Sequence, residues 1–180
     1  MIANMRGRDR GFTLFELMVV IVIVSIAGTV FFDRLRLYQE LAEKAAMETT
    51  IRLIKTGLQI RLAELIIANR QGEARNLETE DPTQWLQPRP GNYAGPYREQ
   101  TEPGHWYFDA RRRQIVYVVN IGDRLEFDTG AKVRELRFQA RLLRDRLKVG
   151  GATIDSVTGV TVIPVTPFHW SWAEPTTILA

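Results

Sequence analysis

The chain of 180 residues contains no cysteine and only two histidines. Without cysteine it can form no disulfide bridge, thiolate metal site or cysteine nucleophile. His105 and His169 each stand beside a tryptophan in a strand-like context, which favours packing or solvent exposure over catalysis. The HExxH, GxSxG and P-loop spacings are also missing. We therefore expect that the protein is not an enzyme and that it holds no cofactor or metal ion.

A strong excess of charge of either sign is missing as well. The formal net charge is +3, and this small surplus is spread along the chain, so by itself it does not indicate a nucleic-acid partner. Hydrophobic residues make up 45% and charged residues 25% of the chain, which is not the composition of a disordered protein. The length suits one membrane segment and one small domain.

What the sequence does contain is one long apolar run near its N-terminus. Residues 1–11 are polar and include three arginines, whereas residues 12–32 are apolar apart from Glu16 and a few small polar side chains. About 20 residues are enough for a helix to cross a hydrocarbon core of about 30 Å. Because the arginines precede the run, we expect residues 1–11 to stay in the cytoplasm and the rest to be translocated.

A cleaved secretory signal peptide is the main alternative for this segment, since Ser25-Ile26-Ala27 offers a small-x-small cleavage site. The apolar run is longer than the usual signal core of about 7–15 residues. It also contains Glu16, and an acidic side chain in a membrane helix is costly unless it finds a partner. Both features favour a retained membrane helix over a signal peptide.

The start of the apolar run carries a motif. A basic leader is followed by Gly11, the aromatic Phe12, Thr13-Leu14 and then Glu16. In this order the residues resemble the prepilin motif of type IV pilins and type II secretion pseudopilins. The resemblance implies that a prepilin peptidase cuts between Gly11 and Phe12 and methylates the new N-terminus of Phe12. It also makes Glu16 the fifth mature residue, which is the glutamate of that family.

The position of Glu16 has a physical logic. A helix N-terminus carries partial positive charge, and a free amine adds a full one. In a bundle of such helices, Glu16 of one subunit can pair with the Phe12 amine of a neighbour. A buried ion pair contributes little net stability, but it is suited to setting register. We therefore interpret Glu16 as an assembly residue that contacts other pilins or pseudopilins.

The helical pattern continues beyond the membrane segment. Asn69 and Gly72 supply a stop signal. We therefore expect one long helix, with residues 12–32 in the membrane and residues 33–70 forming its amphipathic second half. Apolar residues recur there at steps of three and four, at Met47, Ile51, Ile54, Leu58, Leu62 and Leu65.

Residues 33–180 are predicted to form one domain. Within it, the proline-rich residues 77–103 are expected to be a loop with a helical turn at Trp85-Leu86, and residues 104–180 a sheet and tail. The fold class is thus α+β: a long N-terminal helix packed on a small antiparallel β-sheet, as in pilins.

Three segments carry the strand signals. Residues 106–108 and 114–119 predict a hairpin, which resembles the first sheet hairpin of pseudopilins. Residues 136–142 alternate between apolar and polar, as in a half-buried strand. Residues 157–168 are rich in β-branched side chains but interrupted by proline, which is typical of an edge strand. On the buried side we expect Phe108, Val116, Val118, Leu136 and Phe138 or their opposite-face neighbours.

Arg111, Arg112 and Arg113 form the one compact basic run. A solvated hairpin turn is the favoured interpretation, so nucleic acid is not an expected partner. The alternative is a contact with DNA phosphates, which attract clustered arginine. Such a patch would be extended by strand arginines if they share its face, namely Arg137, Arg141, Arg144 and Arg146.

Calcium also has to be considered, because some major pseudopilins bind it in a loop near the C-terminus. Calcium takes six to eight oxygen ligands, often from several carboxylates. After Asp145 this chain offers only Asp155 and Glu174 as acidic residues. We therefore assign no calcium ligands.

The resemblance implies a structural subunit of a type II secretion pseudopilus or type IV pilus, anchored in the bacterial inner membrane with residues 33–180 in the periplasm. The chain lacks the C-terminal cysteine pair of typical major pilins and the acidic cluster of calcium-binding pseudopilins. A minor subunit is therefore favoured, and the hairpin also resembles pilus-biogenesis proteins of the mannose-sensitive haemagglutinin kind. Two alternatives stay open: a DNA-binding minor pilin of a DNA-uptake pilus, or a single-pass anchored periplasmic domain without a filament role.

Overall fold

The computed structural model describes residues 12–127, 134–149 and 152–171. The chain divides into two compact units, Met1–Leu41 and Ala42–Ala180. Within the described residues the elements are a helix α1 (Leu14–Ile67), 3-10 helices at Gln71–Glu78 and Pro82–Trp85, and the strands β1 (Tyr93–Pro96), β2 (Trp106–Asp109), β3 (Gln114–Val118), β4 (Leu125–Phe127), β5 (Glu135–Val149), β6 (Ala152–Pro164) and β7 (Phe168–Trp170).

Helix α1 runs without interruption for 54 residues, since no proline breaks its hydrogen-bond ladder. It ends in a Schellman motif. The Arg70 N–H donates to the Leu65 carbonyl (2.8 Å), and the Asn69 N–H donates to the Ile66 carbonyl (3.1 Å). Asn69 takes a φ of 57°, a left-handed conformation that asparagine adopts more readily than most residues. The predicted long helix is confirmed, and its predicted stop signal lies at the observed end.

The main sheet has five strands in the order β1-β2-β3-β5-β6. Neighbours from β2 to β6 pair antiparallel, whereas β1 runs parallel to β2. Strands β4 and β7 form a separate antiparallel pair. The predicted α+β class, with a helix on a largely antiparallel sheet, is confirmed.

Strand β1 differs from the sequence-based expectation, because it lies inside the segment 77–103 that was expected to be a loop. Its sequence, Tyr-Ala-Gly-Pro, has no alternating pattern. It becomes a strand through its pairing with Trp106, Tyr107 and Phe108 of β2. The helical turn expected after Asp81-Pro82 does form, as the 3-10 helix Pro82–Trp85, and the Asp81 side chain caps it by accepting from the Thr83 N–H (2.9 Å).

The last strands also differ in extent from the predicted ones. The hairpin of β2 and β3 forms as expected, and β5 extends well beyond the predicted residues 136–142. The single edge strand expected over residues 157–168 is divided. Its first part belongs to β6, which is an edge strand of the main sheet and ends at Pro164. The last residue of the predicted strand, Phe168, begins β7 in the other sheet.

The core lies where the second half of α1 meets the main sheet. Five residues of the predicted helical stripe are buried, and Ile54 and Leu58 have 0% exposed surface. Ile51 is half-buried at the margin of the same cluster. From the sheet side the largest members are Trp106, Ile115, Tyr117, Leu136 and Phe138.

The pleat of β3 decides which of its side chains meet the helix. Ile115 and Tyr117 face α1, whereas Val116 and Val118 lie in a second cluster with Tyr107 on the other face. Successive side chains of a strand point to opposite faces. Of the two sets that the sequence left open, the opposite-face neighbours of Val116 and Val118 therefore pack on the helix. Both sets are buried, because the segment after β1 covers the second face through Tyr97.

One polar contact ties the helix to the sheet. The Glu43 carboxylate on α1 accepts hydrogen bonds from the Tyr117 hydroxyl (2.9 Å), the Asn120 N–H (2.6 Å) and the Ile121 N–H (2.7 Å). Hydrogen bonds to a charged acceptor are stronger than neutral ones. Glu43 therefore holds the chain that leaves β3 against the helix.

Candidate processing and assembly site

The proposed cleavage position lies at the boundary of the described residues. Gly11 and the leader, residues 1–11, fall outside them. Phe12 and Thr13 are described and precede the first helical residue, Leu14. Phe12 is exposed over 71% of its surface. The predicted new N-terminus therefore stands just before the helix, at an exposed residue.

Thr13 caps the helix that follows. Its hydroxyl oxygen accepts a hydrogen bond from the Glu16 N–H (3.2 Å), and its carbonyl accepts from the Leu17 N–H (3.1 Å). A threonine followed three residues later by glutamate is the capping-box pattern of a helix N-terminus. The spacing of Thr13 and Glu16 in the sequence already indicates this cap, in addition to the place of Thr13 in the motif.

The cap fixes the place of Glu16 in the first turn of α1. A carboxylate there is stabilised by the partial positive charge of the helix N-terminus. Glu16 is exposed, as are the apolar side chains around it. The structure thus places Phe12 and Glu16 at the same end of one helix, with the glutamate available to a second chain.

The rest of the apolar segment presents its side chains outward. The most apolar window of α1 has a mean hydropathy of 2.6 and no buried residues, so the helix is long and apolar enough to cross a membrane. Its small polar side chains bond within the helix: Ser25 donates to the Ile21 carbonyl (2.7 Å), and Thr29 donates to the Ser25 carbonyl (3.0 Å). Such internal bonding satisfies these hydroxyl groups without water. Glu16 is the one charged side chain in residues 12–32.

The arginine run lies in the turn between β2 and β3. The Asp109 carboxylate accepts from the Arg111 N–H and the Arg112 N–H, both at 3.1 Å, and the Arg137 guanidinium donates to its other oxygen at 3.1 Å. Burial alone would raise the pKa of Asp109, but the hydrogen bonds from Arg112 and Arg137 outweigh it and hold the pKa below its usual value. The turn is therefore built around an ionised aspartate.

Two of the strand arginines, Arg137 and Arg144, pair with carboxylates. Arg137 reaches Asp109 and also pairs with Glu135 at 2.8 Å. Arg144 lies at 3.4 Å from Glu78, which belongs to the first 3-10 helix. Arg137 thus reaches the turn, where it serves an internal ion pair, whereas Arg144 pairs with the first 3-10 helix.

The two histidines each lie near a carboxylate. His105 is 4.0 Å from Glu102, and His169 is 3.2 Å from Glu126. Among the residues that the structure describes, no three His, Asp or Glu side chains come together as metal ligands would.

Comparison with known proteins identifies the N-terminal segment. Residues 6–32 match the family model described as the prokaryotic N-terminal methylation motif. A search of curated proteins and a search of solved structures found no match. The matched residues contain Gly11, Phe12, Thr13 and Glu16, and they end where the apolar run ends. This motif, together with a long helix packed on a largely antiparallel sheet, supports a type IV pilin-like family for the chain.

Proposed function

We propose that the chain is a structural subunit that prepilin peptidase processes and that then assembles, as a minor subunit, into a type II secretion pseudopilus or type IV pilus. The observation that carries the proposal is the methylation motif directly joined to an exposed apolar helix. The first half of α1 anchors the precursor in the inner membrane, and the domain that contains the sheet lies in the periplasm.

Processing creates the group that Glu16 needs. Cleavage after Gly11 frees the amine of Phe12, and N-methylation leaves that amine able to carry a positive charge. The amine then stands close to the capped N-terminus of α1, at the same end of the helix as Glu16. In a packed bundle the Glu16 carboxylate of one subunit pairs with the amine of the next and fixes how far each helix slides along its neighbour.

The proposed minor role rests on what the domain lacks relative to major subunits. The sequence has no cysteine pair and few acidic residues near its C-terminus. The domain instead depends on its apolar core and on side-chain bonds such as those of Glu43. Minor subunits are present in few copies, so this assignment predicts a low ratio of this chain to a major pilin-like partner.

Mass spectrometry of the protein extracted from membranes tests the processing step. We expect a mature chain that begins at N-methylated Phe12. The Gly11→Leu variant should accumulate as the uncut precursor, because by analogy with the family the peptidase requires a small residue before the cut. Gly28→Leu is the matched control, since a side chain at Gly28 meets no atom within 4 Å. It should be processed like the unmodified chain. In the unmodified chain, a mature N-terminus at Gly28 would show that a signal peptidase acts instead.

A further inference from the structure

A crevice opens at one edge of the main sheet, between the segment that follows β1 and the turn between β2 and β3. Its volume is about 540 Å³, which lies within the range of about 300–1,000 Å³ typical of small-molecule sites. Strands β1 and β2 are parallel, so their C-terminal ends meet at this edge.

Both walls of the crevice supply arginine. Arg98 comes from the segment after β1, and Arg111 and Arg112 come from the turn. All three side chains are exposed. In the part of the chain that the structure describes, neither Arg98 nor Arg111 forms an ion pair, and the Arg112 guanidinium lies 3.9 Å from Asp109. At least two guanidinium groups are therefore available to a ligand.

Asp109 lines the crevice but does not cancel its positive charge. One of its oxygens accepts from the backbone N–H groups of Arg111 and Arg112, and the other accepts from the Arg137 guanidinium. The aspartate thus fixes the backbone that carries Arg111 and Arg112, while Arg137 balances its charge. Glu99 is the other acidic residue of the lining, and it forms no ion pair within the described residues.

The apolar part of the lining is held in place. It includes Phe108 of β2 and Tyr97. The Tyr97 hydroxyl donates to Glu135 (2.7 Å), and its ring packs edge-on against Tyr107 at 6.3 Å and under the Arg137 guanidinium at 4.9 Å. A site whose walls are fixed before binding loses little entropy when a ligand enters.

We propose that this crevice binds a phosphate ester, with Arg98 and Arg111 holding the phosphate from opposite walls. Guanidinium groups donate hydrogen bonds in a planar fork that fits phosphate or carboxylate oxygens. A phosphate monoester carries a charge of about −1.5 to −2 and three acceptor oxygens, whereas a carboxylate carries a single charge and two oxygens. Arginine on both walls therefore favours phosphate, and the ring of Tyr97 gives the organic part of the ester an apolar contact. The inference is independent of filament assembly.

Fluorescence anisotropy with the full chain in neutral detergent tests the proposal. The probe is a labelled single-stranded oligodeoxynucleotide. Unlabelled competitors are ribose 5-phosphate, inorganic phosphate and a polyglutamate of the same charge as the probe. We expect ribose 5-phosphate and inorganic phosphate to displace the probe. Polyglutamate should not displace it, although it carries the same charge as the probe. Displacement by ribose 5-phosphate alone would locate recognition in the ester, and displacement by both would locate it in the phosphate group itself.

Substitutions separate a built site from general attraction to positive charge. Arg98→Gln and Arg111→Gln should each weaken binding by about tenfold or more, as expected for loss of a charge-assisted hydrogen bond. Glu99→Gln should strengthen binding. Arg113→Gln is the matched control, because Arg113 belongs to the same turn but lies outside the crevice lining. It removes the same charge and should change the affinity less than twofold.

Three results would overturn the proposal. One is an equal loss of binding in Arg113→Gln and Arg111→Gln, since the run would then act only through its net charge. Another is displacement of the probe by polyglutamate as readily as by phosphate. The third is no binding of any probe at millimolar concentration by a chain whose circular dichroism and thermal unfolding match those of the unmodified protein.

Discussion

Glu16 is the residue on which the proposed assembly depends most directly. It is the one charged side chain in residues 12–32, and the cap from Thr13 places it in the first turn of α1. A charged side chain at membrane depth costs about 2.5–3.5 kcal/mol on insertion scales. As a simple anchor the segment would be improved by its removal. The cost is offset only if the carboxylate meets a positive partner in the bundle.

We therefore predict that Glu16→Leu separates anchoring from assembly. Membrane insertion and cleavage after Gly11 should persist, whereas co-purification with partner pilins and filament activity should fall sharply, because the Phe12 amine loses its partner. Crosslinking at matched membrane levels measures this. Ser25→Ala is the control, since the Ser25 hydroxyl donates within its own helix, to the Ile21 carbonyl, and this variant should assemble normally. Recovery of the same partners by Glu16→Leu would remove Glu16 from the mechanism.

At the scale of the element, the second half of α1 has two faces with different roles. Leu58 has 0% exposed surface and packs in the core, whereas Leu53 is 55% exposed. Both are leucines in the interior of one helix, so their helix propensities are equal. A difference between their substitutions therefore reports packing against the sheet alone.

We expect Leu58→Ala to lower the free energy of unfolding by about 2–5 kcal/mol, because it leaves a cavity against the sheet. Leu53→Ala should change it by less than about 0.5 kcal/mol. Denaturant unfolding of the full chain in detergent, followed by fluorescence of the buried Trp106, measures both. Equal small effects would mean that the helical stripe does not pack on the sheet.

At the scale of the whole molecule, several hydrogen bonds that join distant segments are made by tyrosine hydroxyls to carboxylates. Tyr93 donates to Asp81, Tyr97 donates to Glu135 and Tyr117 donates to Glu43. Burial, and then the bond to Asp81, raises the pKa of Tyr93 to about 12. The pKa of Tyr97 is raised first by its bond to Glu135, and that of Tyr117 first by burial.

These shifts predict a loss of stability in alkaline solution. A tyrosine has a pKa of about 10 in the unfolded chain, so between pH 10 and 12 the unfolded state binds fewer protons than the folded state. The free energy of unfolding must then fall as pH rises through this range. In Tyr93→Phe, and in Asp81→Asn, the fall should be shallower than in the unmodified protein. Unfolding curves measured from pH 8 to 12 test the sign, and an unchanged slope in both variants would contradict it.

Much of the fold could be predicted from local sequence patterns. The stripe from Met47 to Leu65, the stop at Asn69 and the hairpin of β2 and β3 are set by residues close in sequence, and the structure has them as expected. The methylation motif is local too, so it was recognisable without any fold. Strands β1 and β4 were not predicted, and of β7 only its first residue was, since each becomes a strand only by pairing with a partner that its own sequence does not indicate.

The sequence by itself determined the membrane helix, its processing motif, the position of Glu16 and the face of α1 that enters the core. Each depends on the order of neighbouring residues, which the helical period converts into position. The tertiary structure decided that Val116 turns away from α1, that Glu43 holds the chain after β3, and that Arg98 joins Arg111 at one crevice while Arg137 is occupied by Asp109. These outcomes depend on strand register and on contacts between residues far apart in the chain, which fold topology alone brings together.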